Sequence, residues 1–201
     1  MIDTVISDLG QVILHFDNNI FFRRLARLTG RLEEEIRAAA EADREIIRLF
    51  DLGKISAEEF YAKAKLKLDV EVSYGDFYAS YCDIFSLDRP VLAVFAKLKP
   101  KYKLVLLSNT DIMRFTFIKT KFREILIFDA YALSFDLGIM KPEPDIYRKA
   151  LRLAGSRAEN AVYIDDLPEN IEAAENVGLK GILFTPQTDL EAELRKFGIC
   201  F

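Results

Sequence analysis

The sequence has few of the residues that build disulfide frameworks or zinc sites. Its 201 residues include two cysteines, one histidine and no tryptophan. Cys82 and Cys200 are far apart and form no C-x-x-C pair, which excludes a disulfide-stapled fold and a cysteine-based zinc site. We expect both to be free thiols in a reducing compartment, which favours the cytoplasm.

Long apolar runs and clusters of like charge are also missing. No stretch approaches 18 consecutive apolar residues, and the first four residues lack the basic start of a signal peptide. The net charge is −4, with no block of five or more like charges that could follow a phosphate backbone. We therefore predict a cytoplasmic protein with neither nucleic acid nor membrane as a partner. The oligomeric state stays unknown from the sequence.

Apolar residues, by contrast, are plentiful enough for a buried core. They make up 51% of the chain and include 16 phenylalanines. A β-rich run from Ile2 to Ser7 predicts a strand that ends at Asp8. From 16 to 87, apolar residues three and four apart predict helices only, with Ser56 and Ser73 as N-caps. We interpret 16–87 as a helical insertion.

After residue 88, apolar strands alternate with amphipathic helices. Strands are predicted at 104–107, 130–134, 162–164 and 181–184, and helices at 91–97, 112–119, 145–154 and 171–177. The alternation predicts an α/β fold: a Rossmann-like parallel sheet flanked by helices, built from 1–15 and 88–201. Ligands bind at the carboxyl ends of such strands. Asp8, Ser108 and the pair Asp165 and Asp166 each follow a strand, so we expect them at one edge.

Four short motifs occur in a fixed order at these positions. They are VISDLGQV at 5–12, LVLLSN at 104–109, SFDLGIMKP at 134–142 with Lys141, and YIDD at 163–166 followed by Asn170. Each motif alone is explained by a turn, a helix cap or a solvated lysine. Together they resemble the haloacid dehalogenase superfamily, and the similarity is nearest to the branch with Asp-Leu-Gly, which includes sugar 1-phosphate phosphatases. The resemblance implies a core of that family with a small α-helical cap inserted after strand one.

The resemblance also implies a Mg²⁺-dependent phosphatase that acts on a small phosphorylated metabolite. Asp8 would be the nucleophile and would form an aspartyl-phosphate that water then hydrolyses. A carboxylate that attacks a phosphate dianion meets like-charge repulsion, so a divalent cation is needed between them. By resemblance, the carboxylates of Asp8 and Asp166 and the backbone carbonyl of Gly10 hold the metal, and such oxygen ligands suit Mg²⁺.

The same resemblance assigns supporting roles to five residues. Lys141 would neutralise phosphoryl charge and keep Asp8 ionised. Ser108 and the Asn109 amide would hold the phosphoryl group in line for attack. Asp165 and Asn170 would hold the metal ligands in position without binding the metal themselves.

Gly10 departs from the usual pattern of these phosphatases. Most of them have a second aspartate there, two residues after the nucleophile, as general acid and base. Such help is typically worth about 10² to 10⁴ in rate. Three explanations stay open: the substrate has a good leaving group, as in a sugar 1-phosphate; another residue, such as His15 or Asp17, is the acid; or the chain binds phosphate and turns over poorly.

Two alternative functions follow from these observations. One is a 2-haloacid dehalogenase, although family dehalogenases carry an aromatic residue at the position of Gly10 and need no metal. The other is a non-enzymatic phosphate-binding or regulatory protein. Specificity is expected to lie in the cap, with hinges near Phe16 and at 88–90. The candidate lining residues are Phe16, Asp17, Phe21, Phe22, Phe50, Phe77, Tyr78 and Tyr81.

Overall fold

The computed structural model describes residues 1–42 and 44–201. The strands are β1 (Thr4–Ser7), β2 (Leu14–Phe16), β3 (Phe85–Leu87), β4 (Lys103–Ser108), β5 (Ala130–Leu133), β6 (Ala161–Asp165) and β7 (Lys180–Leu183). The helices are α1 (Asn18–Thr29), α2 (Glu33–Glu41), α3 (Glu45–Asp51), α4 (Ala57–Leu68), α5 (Tyr74–Cys82), α6 (Arg89–Leu98), α7 (Ile112–Lys121), α8 (Ser134–Leu137), α9 (Pro144–Ala154), α10 (Pro168–Val177) and α11 (Leu190–Lys196).

A five-stranded parallel sheet forms the centre of the molecule. Its strand order is β5-β4-β1-β6-β7, and each neighbouring pair is parallel. In β1, Ile6 pairs with Val105 of β4 on one side and with Tyr163 of β6 on the other. The predicted α/β fold is confirmed, and all five predicted strands are present with ends shifted by at most two residues.

Both faces of the sheet are buried, because alternate residues of each strand point to opposite sides. Val5 and Leu104 belong to a core cluster that includes Phe95 of α6. Ile6 and Val105 belong to a second cluster on the other side, which includes residues of α9 and α10. Burial on both faces explains why these strands are continuous apolar runs and lack a polar alternation.

A second, two-stranded sheet joins the two ends of the inserted helices. β2 and β3 are antiparallel, with Leu14 opposite Leu87 and Phe16 opposite Phe85. The prediction of helices only between 16 and 87 was therefore wrong at β3. Three residues are too few to show a strand periodicity, and β3 forms because β2 offers it a pairing partner.

The inserted segment, which we define as residues 18–82, carries α1 to α5 around a core of its own. Ser56 begins α4 as the predicted N-cap, and it forms a capping box: its side chain accepts from the Glu59 N–H, and the Glu59 carboxylate accepts from the Ser56 N–H at 2.8 Å. Ser73 caps α5 by accepting from the Asp76 N–H, and its hydroxyl donates to Asp76 Oδ2 at 2.7 Å. Phe50 and Phe60 stack at 4.3 Å inside this core. Among the described residues, no helix has the length and apolar character required to cross a membrane.

Candidate active site

The carboxyl ends of three adjacent strands place polar residues side by side. Asp8 directly follows β1, Ser108 ends β4 and Asp165 ends β6. Because β1 lies between β4 and β6, Asp8 occupies the middle position. The Asp8 N–H extends the ladder by donating to the Ile164 carbonyl at 2.8 Å. The structure thus brings together the residues that the sequence assigned to this edge.

Lys141 reaches the same edge from the loop after α8 and is buried between two carboxylates. Its Nζ lies 2.8 Å from Asp8 Oδ1 and 2.7 Å from Asp165 Oδ2. Burial alone would lower the pKa of Lys141, but the charges of Asp8 and Asp165 hold that pKa above its usual value. Burial raises the pKa of Asp8 to about 6, although Lys141 opposes the rise. A cation beside Asp8 would favour the carboxylate form that can attack phosphorus.

Asp165 has both carboxylate oxygens engaged by the protein. Oδ2 accepts from Lys141 Nζ and from the Tyr163 hydroxyl. Oδ1 accepts from the Leu167 N–H at 2.9 Å and from Asn170 Nδ2 at 3.0 Å. Burial would raise the pKa of Asp165, but Lys141 and these hydrogen bonds keep it below its usual value. An ionised carboxylate with this many donors is suited to orient Lys141 and the turn that carries Asp166.

Three carboxylates at this edge could hold a divalent cation. Oxygen atoms of Asp8, Asp165 and Asp166 all lie within 4.8 Å of one another. Since the oxygens of Asp165 are engaged, Asp8 and Asp166 have the available ones. Burial, and next the charge of Asp165, raise the pKa of Asp166, which a bound cation would reverse. With Gly10 in the same cavity, this oxygen-only set fits Mg²⁺, which takes few protein ligands and keeps several waters.

Asn109 holds the backbone of Lys141 in place. Its side-chain Nδ2 donates to the Lys141 carbonyl at 3.0 Å, and its Oδ1 accepts from the Lys141 N–H at 2.8 Å. This two-way bond joins the end of β4 to the Lys141 loop, and the side chain of Asn109 is therefore engaged away from a phosphoryl group. The sequence alone does not reveal this positioning contact, because the two residues are 32 positions apart and no local spacing links them.

The position of Gly10 is crowded by an aromatic ring. A Cβ atom there would lie 3.1 Å from Phe16 Cε1 and 3.9 Å from Asp8 Oδ2. A side chain at this position would therefore point into the space beside the nucleophile, but only if the Phe16 ring moved by a few tenths of an ångström. Phe16 occupies the space in which a general acid at position 10 would lie.

The four motifs and the inserted segment enclose a cavity of about 270 Å³. Asp8, Gly10, Ser108, Asn109, Lys141, Asp166 and Asn170 all line it. Further lining residues were not foreseen: Asp51 from α3, Phe85 from β3, and Thr110 and Arg114 beyond β4. Asp51 and Arg114 have no sequence signal of their own, since a charged residue at a helix end or on a helix is usually solvated.

Most of the aromatic candidates for the cavity lining pack inside the inserted segment instead. Of the eight candidates, seven of which are aromatic, only Phe16 lines the cavity that contains Asp8. Phe21, Phe50, Phe77 and Tyr81 are buried in the core of the inserted segment. Aromatic residues at helical spacing supply apolar area first, and a helical segment that stands beside the main core needs a packed interior of its own.

The two alternative acids are engaged outside this cavity. His15 Nε2 lies 3.1 Å from Asp88 Oδ2, which joins β2 to the start of α6. Asp17 caps α1 by accepting from the Asn19 N–H and pairs with Arg23 at 3.2 Å. Neither residue is among the described residues that line the cavity. The structure therefore gives no support to His15 or Asp17 as the missing acid.

The end of α3 contacts the core directly at Gly53. This glycine has a φ of +63°, and a Cβ atom there would lie 2.2 Å from the carbonyl oxygen of Phe135 in α8. Only glycine fits at this contact, because its φ is positive and because the two backbone segments approach too closely for a Cβ atom. It fixes the inserted segment over the edge of the sheet and places Asp51 in the cavity wall.

Gly53→Ala is expected to weaken this docking. The matched control is Gly155→Ala, because Gly155 has a similar φ of +69° but open space around its missing side chain. The control should lose about 1 kcal/mol from the left-handed conformation alone. Gly53→Ala should lower the free energy of unfolding by a further 1 to 3 kcal/mol, and each kcal/mol corresponds to about 2 to 4 °C in melting temperature. If the inserted segment instead moves off the core, the variant should have a raised KM for its substrate. Equal melting temperatures and equal KM values in the two variants would contradict the docking role.

The sequence of this chain is similar to those of known hydrolases. The family model for haloacid dehalogenase-like hydrolases matches residues 2–178. D-ribitol-5-phosphate phosphatase of Bacteroides thetaiotaomicron is 24% identical over 187 residues, which cover 90% of each chain. Sesquiterpene phosphatase astK of Aspergillus oryzae is 24% identical over 75% of this chain and 78% of its own. Rat bifunctional epoxide hydrolase 2 is 28% identical over 129 residues, but this chain spans only 23% of its length.

Comparison of structures supports the same fold. An HAD family enzyme from Bacteroides thetaiotaomicron, solved with magnesium and inorganic phosphate, has a TM-score of 0.84 at 22% identity over 97% of this chain and all of that one. An HAD-like family hydrolase from Porphyromonas gingivalis has a TM-score of 0.79 at 23% identity over both full chains. A 2-haloacid dehalogenase from Pseudomonas syringae has a TM-score of 0.66 at 19% identity over 94% of this chain and 89% of that one.

Proposed function

Because the chain belongs to the haloacid dehalogenase-like hydrolase family, we propose that it is a Mg²⁺-dependent phosphatase with Asp8 as its nucleophile. The observation that supports this proposal is the ion pair of Asp8 with Lys141 at 2.8 Å together with the Asp166 carboxylate within 4.8 Å, in a cavity that Ser108 also lines. One carboxylate oxygen of Asp8 faces a buried ammonium, and Asp166 adds a second carboxylate for a metal.

The residues divide the work of phosphoryl transfer among them. Asp8 attacks phosphorus in line with the leaving oxygen and forms an aspartyl-phosphate, which water cleaves to regenerate the carboxylate. Lys141 stabilises the negative charge of the phosphoryl oxygens, and Ser108 with the backbone N–H of Asn109 orients them. The carboxylates of Asp8 and Asp166 and the Gly10 carbonyl would hold Mg²⁺, which when bound would supply the charge neutralisation that lets two anions approach. Asp165 and Asn170 keep Lys141 and the Asp166 turn in position.

The substrate is proposed to be a small phosphorylated metabolite with a leaving group that needs little protonation, such as a sugar 1-phosphate. The motivating feature is Gly10, since an anomeric oxygen leaves more easily than an ordinary alcohol. The relatives named as phosphatases of ribitol 5-phosphate and of sesquiterpenes support phosphatase chemistry. The inserted segment, in this proposal, is the cap that excludes bulk water from the reaction.

The test is a phosphate-release screen over sugar, polyol, nucleotide and acyl phosphates, run in Mg²⁺ and in EDTA. We expect release that requires Mg²⁺, with the highest kcat/KM on small substrates. 2-Chloropropionate is included, and chloride release that persists in EDTA would instead indicate a dehalogenase. Saturable phosphate binding without release from any substrate would indicate a binding protein.

Gly10→Asp should raise turnover on phosphates with poor leaving groups. The new carboxyl would lie next to Asp8, as the position of the Cβ atom indicates, and could protonate the leaving oxygen. We expect kcat on an alkyl phosphate to rise by about tenfold or more, with little change on p-nitrophenyl phosphate. Gly10→Asn is the matched control, because it makes the same demand on the Phe16 ring but has no acid. If both variants have the same dependence of kcat on leaving-group pKa, the acid-deficit explanation is wrong.

A further inference from the structure

Two charged residues line the cavity without belonging to the proposed catalytic group. Asp51 is the last residue of α3 in the inserted segment, and Arg114 lies in the first turn of α7 in the core. The charges that act on the Asp51 carboxyl are those of Asp111 and Arg114. Asp51 and Arg114 therefore form a second polar region of the cavity, contributed by both the inserted segment and the core.

Both side chains have hydrogen-bonding capacity that the protein leaves unused. Among the described residues, no hydrogen bond is made to the Asp51 carboxyl. The Arg114 guanidinium donates from Nη2 to Asn18 Oδ1 at 3.2 Å and lies 4.1 Å above the Tyr81 ring, but its buried Nε makes no hydrogen bond. Polar groups with so little access to water are normally paired, and because Asp51 and Arg114 line the cavity, a ligand there is the natural partner for the Asp51 carboxyl and for the part of the guanidinium that faces the cavity.

The charge balance of the region restricts the chemistry of such a ligand. Asp111 is fully buried, accepts from the Tyr81 hydroxyl at 2.9 Å and has Oδ2 3.9 Å from Arg114 Nε. The charge of Arg114 is thus already balanced by Asp111, and Asp51 adds one more carboxyl. A second anionic group on the ligand would be repelled, and an alkyl chain would desolvate Asp51 without pairing it. Hydroxyl groups can donate to Asp51 and accept from Arg114.

On the basis of the phosphatase function proposed above, we propose that Asp51 and Arg114 select substrates whose non-reacting end is neutral and rich in hydroxyl groups, as in a short sugar monophosphate. The cavity of about 270 Å³ is near the lower end for ligand sites, which favours a short chain. Asp51 is held in position because Gly53, two residues later, docks on Phe135 of the core.

The experiment compares substrates that differ only in their hydroxyl groups or charge. D-ribitol 5-phosphate is compared with n-pentyl phosphate, which has the same carbon chain and the same primary-alcohol leaving group without the other hydroxyls, and with D-ribitol 1,5-bisphosphate, which adds a second phosphate. The wild type should prefer the ribitol ester in kcat/KM. Asp51→Ala should reduce this preference by about 10- to 100-fold, chiefly through KM, and should improve the relative rate on the bisphosphate. Glu58→Ala, an exposed carboxylate of α4 in the same segment, should leave the preference unchanged.

The outcomes separate this proposal from the phosphatase function on which it rests. If p-nitrophenyl phosphate is hydrolysed but Asp51→Ala leaves the ratio of ribitol to pentyl phosphate unchanged, the subsite is wrong and the phosphatase function stands. A wild type that prefers pentyl phosphate also overturns the subsite. If no substrate releases phosphate from the wild type, both proposals fail together.

A stability measurement shows whether the altered preference comes from misfolding. Burial, reinforced by the charge of Asp111 and opposed by Arg114, raises the pKa of Asp51 to about 7. A carboxyl whose native pKa exceeds its unfolded value costs stability as pH rises from about 4 to 7. Asp51→Asn should therefore melt above the wild type at pH 8 and close to it at pH 4, while losing the preference for ribitol phosphate. A lower melting temperature at pH 8 would mean that the Asp51 carboxylate is paired within the protein, which overturns the subsite.

Discussion

Asp8→Asn should lower the rate of phosphate release by about 10⁴-fold or more on every substrate, because the amide cannot form the acyl phosphate that splits the reaction into two steps. The substitution keeps the shape of the side chain, and the ladder bond from the Asp8 N–H to Ile164 is unaffected. Removal of a carboxyl whose pKa is raised by burial also relieves a destabilising group, so the variant should melt no lower than the wild type at pH 8. The rate is measured by phosphate release under saturating Mg²⁺.

Asp166→Asn is the matched variant, because it removes the other carboxylate of the proposed metal pair and leaves the nucleophile in place. Its activity should be low at ordinary Mg²⁺ and should recover at higher concentrations, since only metal affinity is lost. Asp8→Asn should show no recovery at any Mg²⁺ concentration. Full recovery of Asp8→Asn at high Mg²⁺ would mean that Asp8 is a metal ligand only, and the covalent mechanism would be wrong.

The fold and the edge of the sheet were predictable because their determinants are local. The strands are apolar runs buried on both faces, and a parallel sheet joins their carboxyl ends at one edge. A polar residue directly after a strand therefore has a known destination, as with Asp8 and Ser108. Lys141 could be predicted as a site residue only from the family resemblance of its motif, since nothing in its local sequence distinguishes it from a solvated lysine.

The remaining parts of the site depend on contacts between distant segments. Asp51 lies in the cavity because Gly53 docks on Phe135, more than 80 positions away in the chain. Asn109 positions Lys141 through a side-chain bond that has no sequence signature. The aromatic residues of the inserted segment failed as cavity candidates for a related reason. Helical spacing identifies the apolar face of a helix, but it does not tell whether that face meets another helix or a ligand.

Lys141→Met should destabilise the protein by about 3 to 5 kcal/mol in EDTA at pH 8, because it leaves the buried carboxylates of Asp8 and Asp165 without their counter-ion. This corresponds to a fall in melting temperature of roughly 10 °C for a chain of this size. Activity should fall by at least about 10² at a temperature where circular dichroism shows the variant to be folded, since the phosphoryl charge also loses a stabilising group.

The stability loss of Lys141→Met should be larger at pH 8 than at pH 5, whereas a loss of side-chain packing alone would not depend on pH. The pKa of Asp8 is about 6 with Lys141 present and should rise further without it. A carboxyl with a raised native pKa costs stability as pH rises from its unfolded pKa of about 4 to its native pKa, so a further rise in the native pKa adds to this cost only above about pH 6. The difference from the wild type should therefore shrink between pH 8 and pH 5. Lys97→Met is the control, because Lys97 forms an exposed pair with Glu191 at 2.5 Å, and it should change little at either pH. A Lys141→Met penalty that is the same at both pH values would show that the lysine stabilises the protein through packing of its side chain, and its charge would then have no part in holding Asp8 ionised.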